Sequence, residues 1–105
     1  MIIAVPRAGA PVRIEAPEDF KRFHVEVDAT REELPDLTRV LPGIAEMAGP
    51  DHAWISESAL RAWPGLAAHN WWRDGLTQMI EKARPHGWID AQRQAIKAHI
   101  RWRGA

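Results

Sequence analysis

The sequence predicts a small α+β domain, a two-layer sandwich in which helices pack on one face of a mainly antiparallel sheet of three to five strands. Three observations support this fold class. Several short segments alternate apolar and polar residues, one longer segment has helical periodicity, and scattered prolines and glycines separate them. Since 105 residues with 46% hydrophobic content can build one core, residues 1–105 are expected to form a single globular domain.

Strands are predicted in the first part of the chain. Ile2–Val5 is short and apolar, and we expect it to be an edge strand closed by Pro6. Residues 12–16 alternate weakly and form a second candidate strand. Phe20–Val27 alternates polar residues with aromatic and β-branched ones, which is typical of a half-buried strand.

A broken helical region is predicted over residues 31–48. Thr30 and Glu33 have the spacing of a capping box, in which each side chain accepts a hydrogen bond from the other residue's backbone. A proline inside a helix removes a hydrogen bond and clashes with the preceding turn, so we expect Pro42 to interrupt this region. The Gly-Pro pair at 49–50 is expected to end it.

The middle of the chain predicts a strand followed by two helical segments. His52–Ser56 is the strand, after which Ser56 caps a helical turn over residues 57–63. Asn70 is the predicted N-cap of an amphipathic helix that runs to about Arg84, because Pro85 follows. Five apolar residues form one stripe along this helix: Trp72, Leu76, Met79, Ile80 and Ala83.

The last segment has two interpretations. Residues 95–102 alternate apolar and polar residues strictly, which predicts a hairpin of Trp88–Asp90 and Ala95–Trp102 that turns at Ala91–Gln94. However, Asp90 followed by strong helix formers also resembles a helix start. The hairpin is the favoured interpretation, and a helix over residues 91–103 is the alternative.

Six tryptophans and no tyrosine are an unusual aromatic content. Trp71 lies on the polar side of the predicted helix, together with Gly75, Gln78 and Lys82. A tryptophan covered by a neighbouring loop is the commoner case at a helix start, whereas an exposed one marks a contact surface. The core is expected to contain Trp54, Trp72, Ile80, Phe23, Val25, Leu37, Ile44 and Ile100.

Charge is uneven along a chain whose formal net charge is zero. Residues 15–36 contain eight acids and three bases, and residues 81–105 contain six bases and two acids. The two regions can attract each other within one fold, or they can form a bipolar surface that meets partners. The neutral balance argues against nucleic-acid binding, although Arg93, Lys97, Arg101 and Arg103 with Trp102 keep it as a weaker third option.

Several classes of chemistry are excluded by the sequence. The chain has no cysteine, which removes disulfides, thiol catalysis and thiolate metal ligands. It has no glycine-rich phosphate loop, no nucleophile elbow and no histidine spacing typical of metal sites. The apolar run at the start is too short for a signal peptide or a membrane span. We therefore expect a soluble, cytoplasmic protein that needs no cofactor, metal or membrane.

Two groups of polar residues are candidates for a site. If Phe20–Val27 and Ala95–Trp102 lie in one sheet, one face carries His24, Glu26, Lys97, His99 and Arg101, and Trp88 and Asp90 can join them. Histidines beside a carboxylate can perform general acid–base catalysis near neutral pH. The alternative is an ordinary solvated face with charge pairs across the strands.

The second group lies around the start of the predicted helix. Asp51, His52 and Trp54 precede the loop, and His69, Trp71 and Asp74 follow it. Asp74 can reach back to His69, a contact that would raise the histidine's pKa. Loops at a strand end and a helix start often form polar ligand pockets, and local capping and packing is the alternative.

Two functions from different classes are expected. The leading one is a cofactor-free module, of interaction or inhibitor type, that binds another protein or a second copy of itself. Small bacterial or phage proteins of that kind have a similar general character, which is an analogy of class only. Its expected binding residues are Trp71, His69, Arg73, His52, Trp88 and Arg101.

The rival is a small dimeric enzyme or ligand-binding protein with a histidine and carboxylate pocket. A small molecule is its partner, and whether it is an enzyme is left open. The candidate catalytic residues are His24, His99, His52, His69 and Asp74.

Overall fold

The residues that the structure describes form a mixed α+β domain built on one seven-stranded sheet. A computed structural model describes residues 1–6, 11–30, 32, 39 and 41–104. The strands are β1 Ile2–Val5, β2 Arg13–Glu15, β3 His24–Val27, β4 Ala45–Met47, β5 His52–Ser56, β6 Ile89–Asp90 and β7 Ala95–Trp102. The helices described along their full length are α1 Glu57–Arg61 and α2 Asn70–Ala83, and a 3-10 turn, Arg84–His86, follows α2. Arg39 is also helical.

The sheet has the strand order β2-β1-β3-β7-β5-β4, and β6 pairs with β7 beside this path. Four of the six strand pairs are antiparallel, whereas β3 is parallel to both β1 and β7. The expectation of three to five strands was too low. Ile2–Val5 is also not an edge strand, since it pairs on both sides, and its unbroken apolar run is typical of such an internal strand.

Four further strands agree with the sequence prediction and one is shorter than predicted. β2, β5 and the β6–β7 hairpin lie where alternation predicted them, so residues 95–102 are a strand. β3 begins only at His24, because Asp19 Oδ1 accepts the Lys21 backbone N–H 3.2 Å away and holds the preceding residues in a turn.

Both helices agree with the predicted segments. The Ser56 hydroxyl accepts the Ala59 backbone N–H at 3.2 Å and caps α1, as predicted. α2 begins one residue before the predicted position, with His69 as N-cap. Asn70 is therefore the first helical residue and not the cap, and its side-chain oxygen accepts a hydrogen bond from Arg73. Neither helix, nor any other in the described part of the chain, has the length and apolarity needed to cross a membrane.

The broken helical prediction for residues 31–48 is confirmed at Arg39, which is helical, and is wrong at Ala45–Met47. Ala45–Met47 is strand β4, paired with β5, because its alternation of small, polar and apolar residues suits a sheet edge. Residues 31, 33–38 and 40 lie outside the described residues, and Glu33 of the predicted capping box and Leu37 are among them.

One hydrophobic core joins the sheet and the helices. Trp72, Leu76, Met79 and Ile80 of α2 and Leu60 of α1 are buried with strand residues such as Val25 and Ile100. Phe23 and Ile44 are partly buried and pack against this core. Trp54 was predicted in the core but is only half-buried: it pairs with Lys97 and Glu46, so it lies on the polar face of the sheet.

Candidate functional site

Three histidines form one row across the polar face of the sheet. His99 of β7 lies directly between His24 of β3 and His52 of β5. Residues opposite each other in paired strands share a face, so Glu26, Lys97 and Arg101 accompany this row. The His52 and His99 rings meet edge to face with centroids 5.3 Å apart. The structure thus brings together the first group of candidates.

Glu26 ties the acidic and basic parts of the sequence together. Its carboxylate oxygens lie 3.3 Å from His24 Nε2, 3.5 Å from Arg103 Nη1 and 3.8 Å from Arg101 Nη1. Burial alone would raise the pKa of Glu26, but the His24 hydrogen bond and the Arg103 and Arg101 charges outweigh it, so the pKa is lowered. A carboxylate with a lowered pKa is a weak base. Glu26 is therefore better suited to forming ion pairs than to accepting a proton from a substrate.

The sheet has a gap beside its central strand. β5 occupies one edge of β7, and both β3 and β6 occupy the other. β3 pairs with residues 99–102 in parallel orientation, and β6 pairs with residues 95–96 in antiparallel orientation. Two strands therefore share this edge of β7, and they meet it at different residues. Trp88 extends the pairing of β6 by one residue, because the Lys97 backbone N–H donates to the Trp88 carbonyl at 2.8 Å.

A cleft of about 1070 Å³ opens at this gap. One wall is the second half of α2, another is the loop before β3, and the remainder comes from β7, His52 and the segment around Trp88. Ile96 and Lys97 are consecutive residues of β7, so their side chains point to opposite faces of the sheet. Both line the cleft, which therefore reaches both faces of the sheet at this position. Its apolar lining is Phe20, Phe23, Met79, Ala83, Trp88 and Ile96.

The polar lining combines cations, histidines and two carboxylates. These residues are Glu18, Asp19, Lys21, His52, Gln78, Lys82, His86, Lys97 and His99. The Met1 amino group donates to the backbone carbonyls of Asp19 and of Arg22, the latter at 2.7 Å. Burial lowers the pKa of the Met1 amino group, and the Asp19 and Glu18 charges oppose this shift. The two acids therefore interact with a nearby cation.

An aromatic pair forms part of the cleft wall. The His86 and Trp88 rings stack with centroids 4.5 Å apart and an interplanar angle of 19°. Trp88 is 48% exposed, so about half of this side chain is accessible to solvent. A flat, open aromatic surface can stack on a planar ligand.

Close packing at Gly75 explains how Phe20 reaches the cleft. A Cβ atom at Gly75 would lie 2.2 Å from the Phe20 ring, so only glycine lets the ring lie against the helix. The same ring lies 5.8 Å from the Trp72 ring. Sequence reasoning missed Phe20, and the signal was Gly75 itself, since a glycine inside a helix usually has a packing reason.

The polar side of α2 forms part of the cleft wall in addition to facing solvent. Gly75, Gln78 and Lys82 line the cleft, and Trp71 lies one turn before Gly75 on the same side. Lys21, Lys82 and His86 were not among the sequence candidates. A usable signal was the scarcity of lysine, because the chain has only three lysines among its 14 lysines and arginines.

The second group of candidates is not assembled into one site. His52 lines the cleft, whereas His69, Trp71, Arg73 and Asp74 do not. Among the described residues no hydrogen bond or ion pair joins Asp74 to His69, and the His69 ring instead lies 5.6 Å from the Trp71 ring. Trp71 is 45% exposed, so the expectation of a covering loop was wrong.

A smaller cavity of about 220 Å³ lies near β4 and contains Trp54 and Arg93. Arg93 is already engaged there, 3.8 Å from Glu46 Oε2, 3.7 Å from Asp90 Oδ2 and 6.0 Å from the Trp54 ring centroid. The described residues contain no cluster of three or more histidines and carboxylates placed to hold a metal ion. The large cleft is therefore the candidate site.

Comparisons with known proteins add no family to this geometry. No protein-family model, no curated protein and no solved structure matches the chain.

Proposed function

We propose that the protein is a small-molecule-binding protein whose ligand occupies the cleft beside β7. This is the second of the two functions expected from the sequence. The cleft at the sheet gap supports it, since it combines an apolar lining with converging histidines and lysines, the combination typical of ligand sites. It is lined by His52, Trp88, Lys97 and His99, four of the candidate residues singled out in the sequence.

Concavity favours the cleft over the exposed tryptophan at the start of α2. About 1070 Å³ is room for a ligand of drug-like size or larger. Trp71 offers a single aromatic ring with His69 beside it. Single exposed apolar residues are common on protein surfaces, whereas concave ligand pockets are few in any one protein.

The proposal is tested with N-phenyl-1-naphthylamine, an uncharged probe whose fluorescence rises in apolar surroundings. Titration of the wild-type protein is expected to give saturable binding of one probe per chain. Trp88→Ala should weaken binding by about tenfold, because an open aromatic face is lost. Trp71→Ala is the matched control, since Trp71 and Trp88 are similarly exposed, and it should bind as the wild type does.

Two results would contradict this proposal. One is the absence of saturable binding. The other is a loss of binding in Trp71→Ala that Trp88→Ala does not share, which would move the site to the start of α2.

Protein binding through the start of α2 is the second candidate, and the exposure of Trp71 favours it. Large exposed aromatics are enriched at interfaces. A protein that co-purifies in stoichiometric amount with the wild type but not with Trp71→Ala would support it. Sedimentation that shows a monomer in both forms, with no co-purifying protein, would reject it. In this candidate a second copy of the chain is one possible partner.

Several finer expectations remain predictions from the sequence. They are the two-layer arrangement, the single domain over residues 1–105, the cytoplasmic location, the homodimer, and the acid–base role of the histidines.

A further inference from the structure

Every lysine of the sequence lines the cleft. Lys21 comes from the loop before β3, Lys82 from α2 and Lys97 from β7. The chain has no other lysine, and no arginine is among the described lining residues, although arginine is the more common base in this sequence. Three separate elements thus bring all three lysines to one cavity.

The three lysines differ from most of the arginines that the structure describes. Arg13, Arg61, Arg84, Arg93, Arg101 and Arg103 each lie within ion-pair distance of a carboxylate. In the part of the chain that the structure describes, no ion pair is recorded for Lys21, Lys82 or Lys97. A lysine is a compact charge on a flexible stem, so it can adjust to an anion that enters.

The local charge balance is positive. Glu18 and Asp19 are the two carboxylates of the lining, and they lie near the Met1 amino group, which offsets part of their charge. His52, His86 and His99 add ring nitrogens that can donate hydrogen bonds. An anion in the cleft would therefore meet more positive than negative charge.

The apolar lining sets the rest of the ligand's shape. The stacked His86 and Trp88 rings form one flat surface, and Phe20 and Met79 add apolar area. We infer that the cleft binds an organic anion with a planar, apolar body, of the class of aromatic carboxylates and sulfonates. This inference depends on the cleft being a ligand site, as proposed above.

Two probes with the same ring system test the inference. 8-Anilino-1-naphthalenesulfonate (ANS) differs from N-phenyl-1-naphthylamine by one sulfonate group. Calorimetric titration of the wild-type protein is expected to show ANS binding about tenfold more tightly than the uncharged probe, because the lysines face the sulfonate. Trp88→Ala should weaken both probes, since both use the same aromatic surface.

Single lysine substitutions test which lysines cause the tighter binding of ANS relative to the uncharged probe. Lys82→Met and Lys97→Met keep most of the aliphatic stem and remove the charge. Each should weaken ANS by roughly two- to fivefold, the range expected of one partly exposed ion pair, and leave the uncharged probe unchanged. Lys82→Arg and Lys97→Arg should restore ANS binding to near the wild-type value.

The outcomes separate the two proposals. If neither probe binds saturably, the cleft is not a ligand site and the proposed function is overturned together with this inference. If the uncharged probe binds as tightly as ANS, or the Met variants bind ANS as the wild type does, only the preference for an anion is overturned. Equal loss of both probes in the Met variants would show damage to the cleft and would also overturn it.

Discussion

The two ends of α2 carry the same kind of aromatic pair in different surroundings. His69 and Trp71 lie at the start, with ring centroids 5.6 Å apart, and His86 and Trp88 lie just beyond the other end, 4.5 Å apart. The exposures of the two tryptophans are nearly equal, at 45% and 48%. Only the second pair borders a cavity, because β3 and β6 leave a gap along β7 at that end.

The comparison separates an exposed aromatic residue from a site. Local sequence produces both pairs, since each tryptophan has a histidine two residues before it. The cavity is produced by strand pairing between residues far apart in the chain. Whether an exposed tryptophan can form part of a ligand site therefore depends on the cavity beside it. Four predictions, ordered from the largest expected effect to the smallest, test the packing and the charges on which this account depends.

Trp72→Ala should have the largest effect on stability. Trp72 is fully buried, and its indole Nε1 donates to the Leu60 carbonyl at 2.9 Å, which joins α2 to α1. Loss of this side chain should lower the free energy of unfolding by about 3–5 kcal/mol in urea titrations. A loss below about 1 kcal/mol would mean that Trp72 is not the central contact of the helix.

Gly75→Ala tests the contact that forms the cleft wall. The added methyl group must displace the Phe20 ring, and the expected gain in helix propensity of about 1 kcal/mol offsets part of that cost. Affinity for N-phenyl-1-naphthylamine should fall. In the Phe20→Ala background, where no ring is displaced, Gly75→Ala should stabilise the protein by about 1 kcal/mol. Equal effects in both backgrounds would contradict the close packing.

Glu26→Gln tests the ion pairs of Glu26 with His24, Arg101 and Arg103. These groups are paired, whereas the lysines of the cleft form no ion pair with any residue that the structure describes. The variant should be less stable than the wild type by about 1 kcal/mol at neutral pH, since the partners are exposed arginines and one histidine. The pKa of Glu26 is lowered in the folded protein, so its contribution is complete above the ordinary glutamate pKa of about 4.3.

That contribution is lost as the pH falls through the lowered pKa. The difference between wild type and variant, measured by urea titration at a series of pH values, should therefore shrink below about pH 4.3. A difference that grows as the pH falls would contradict the assigned direction.

Trp71→Ala and Trp88→Ala should have the smallest effects on stability. Both side chains are about half-exposed, so each change should alter the free energy of unfolding by less than about 0.5 kcal/mol. Thermal or urea unfolding checks this. A larger loss in the free energy of unfolding for either variant would show that the tryptophan stabilises the fold. That substitution could then not be used to test binding alone.

Much of the fold follows from local sequence patterns. Strict alternation predicted β7, the spacing of Trp72, Leu76 and Met79 predicted α2, and Ser56 predicted the cap of α1. Pairing partners could not be predicted from these patterns. Ile2–Val5 looks the same in sequence whether it lies at an edge or inside a sheet, and Trp54 faces the polar side because of its register with Lys97.

The candidate site was predicted only in pieces. His52, His99 and Trp88 were named because histidine and tryptophan are chemically prominent, but their proximity depends on the register of β5, β6 and β7. Phe20 and Lys82 were missed, since each has an ordinary role in its own segment. Their shared cavity exists only after β3 and β6 pair with one strand.

The central claim, that the cleft near Trp88 binds the ligand, is tested most directly by the indole N–H signals of the six tryptophans in a ¹⁵N–¹H correlation spectrum. Signals are assigned by their loss in Trp88→Phe and Trp71→Phe. On titration with N-phenyl-1-naphthylamine, the Trp88 signal should shift in a saturable manner and the Trp71 signal should stay in place. A shift of the Trp71 signal with an unmoved Trp88 signal would contradict the claim.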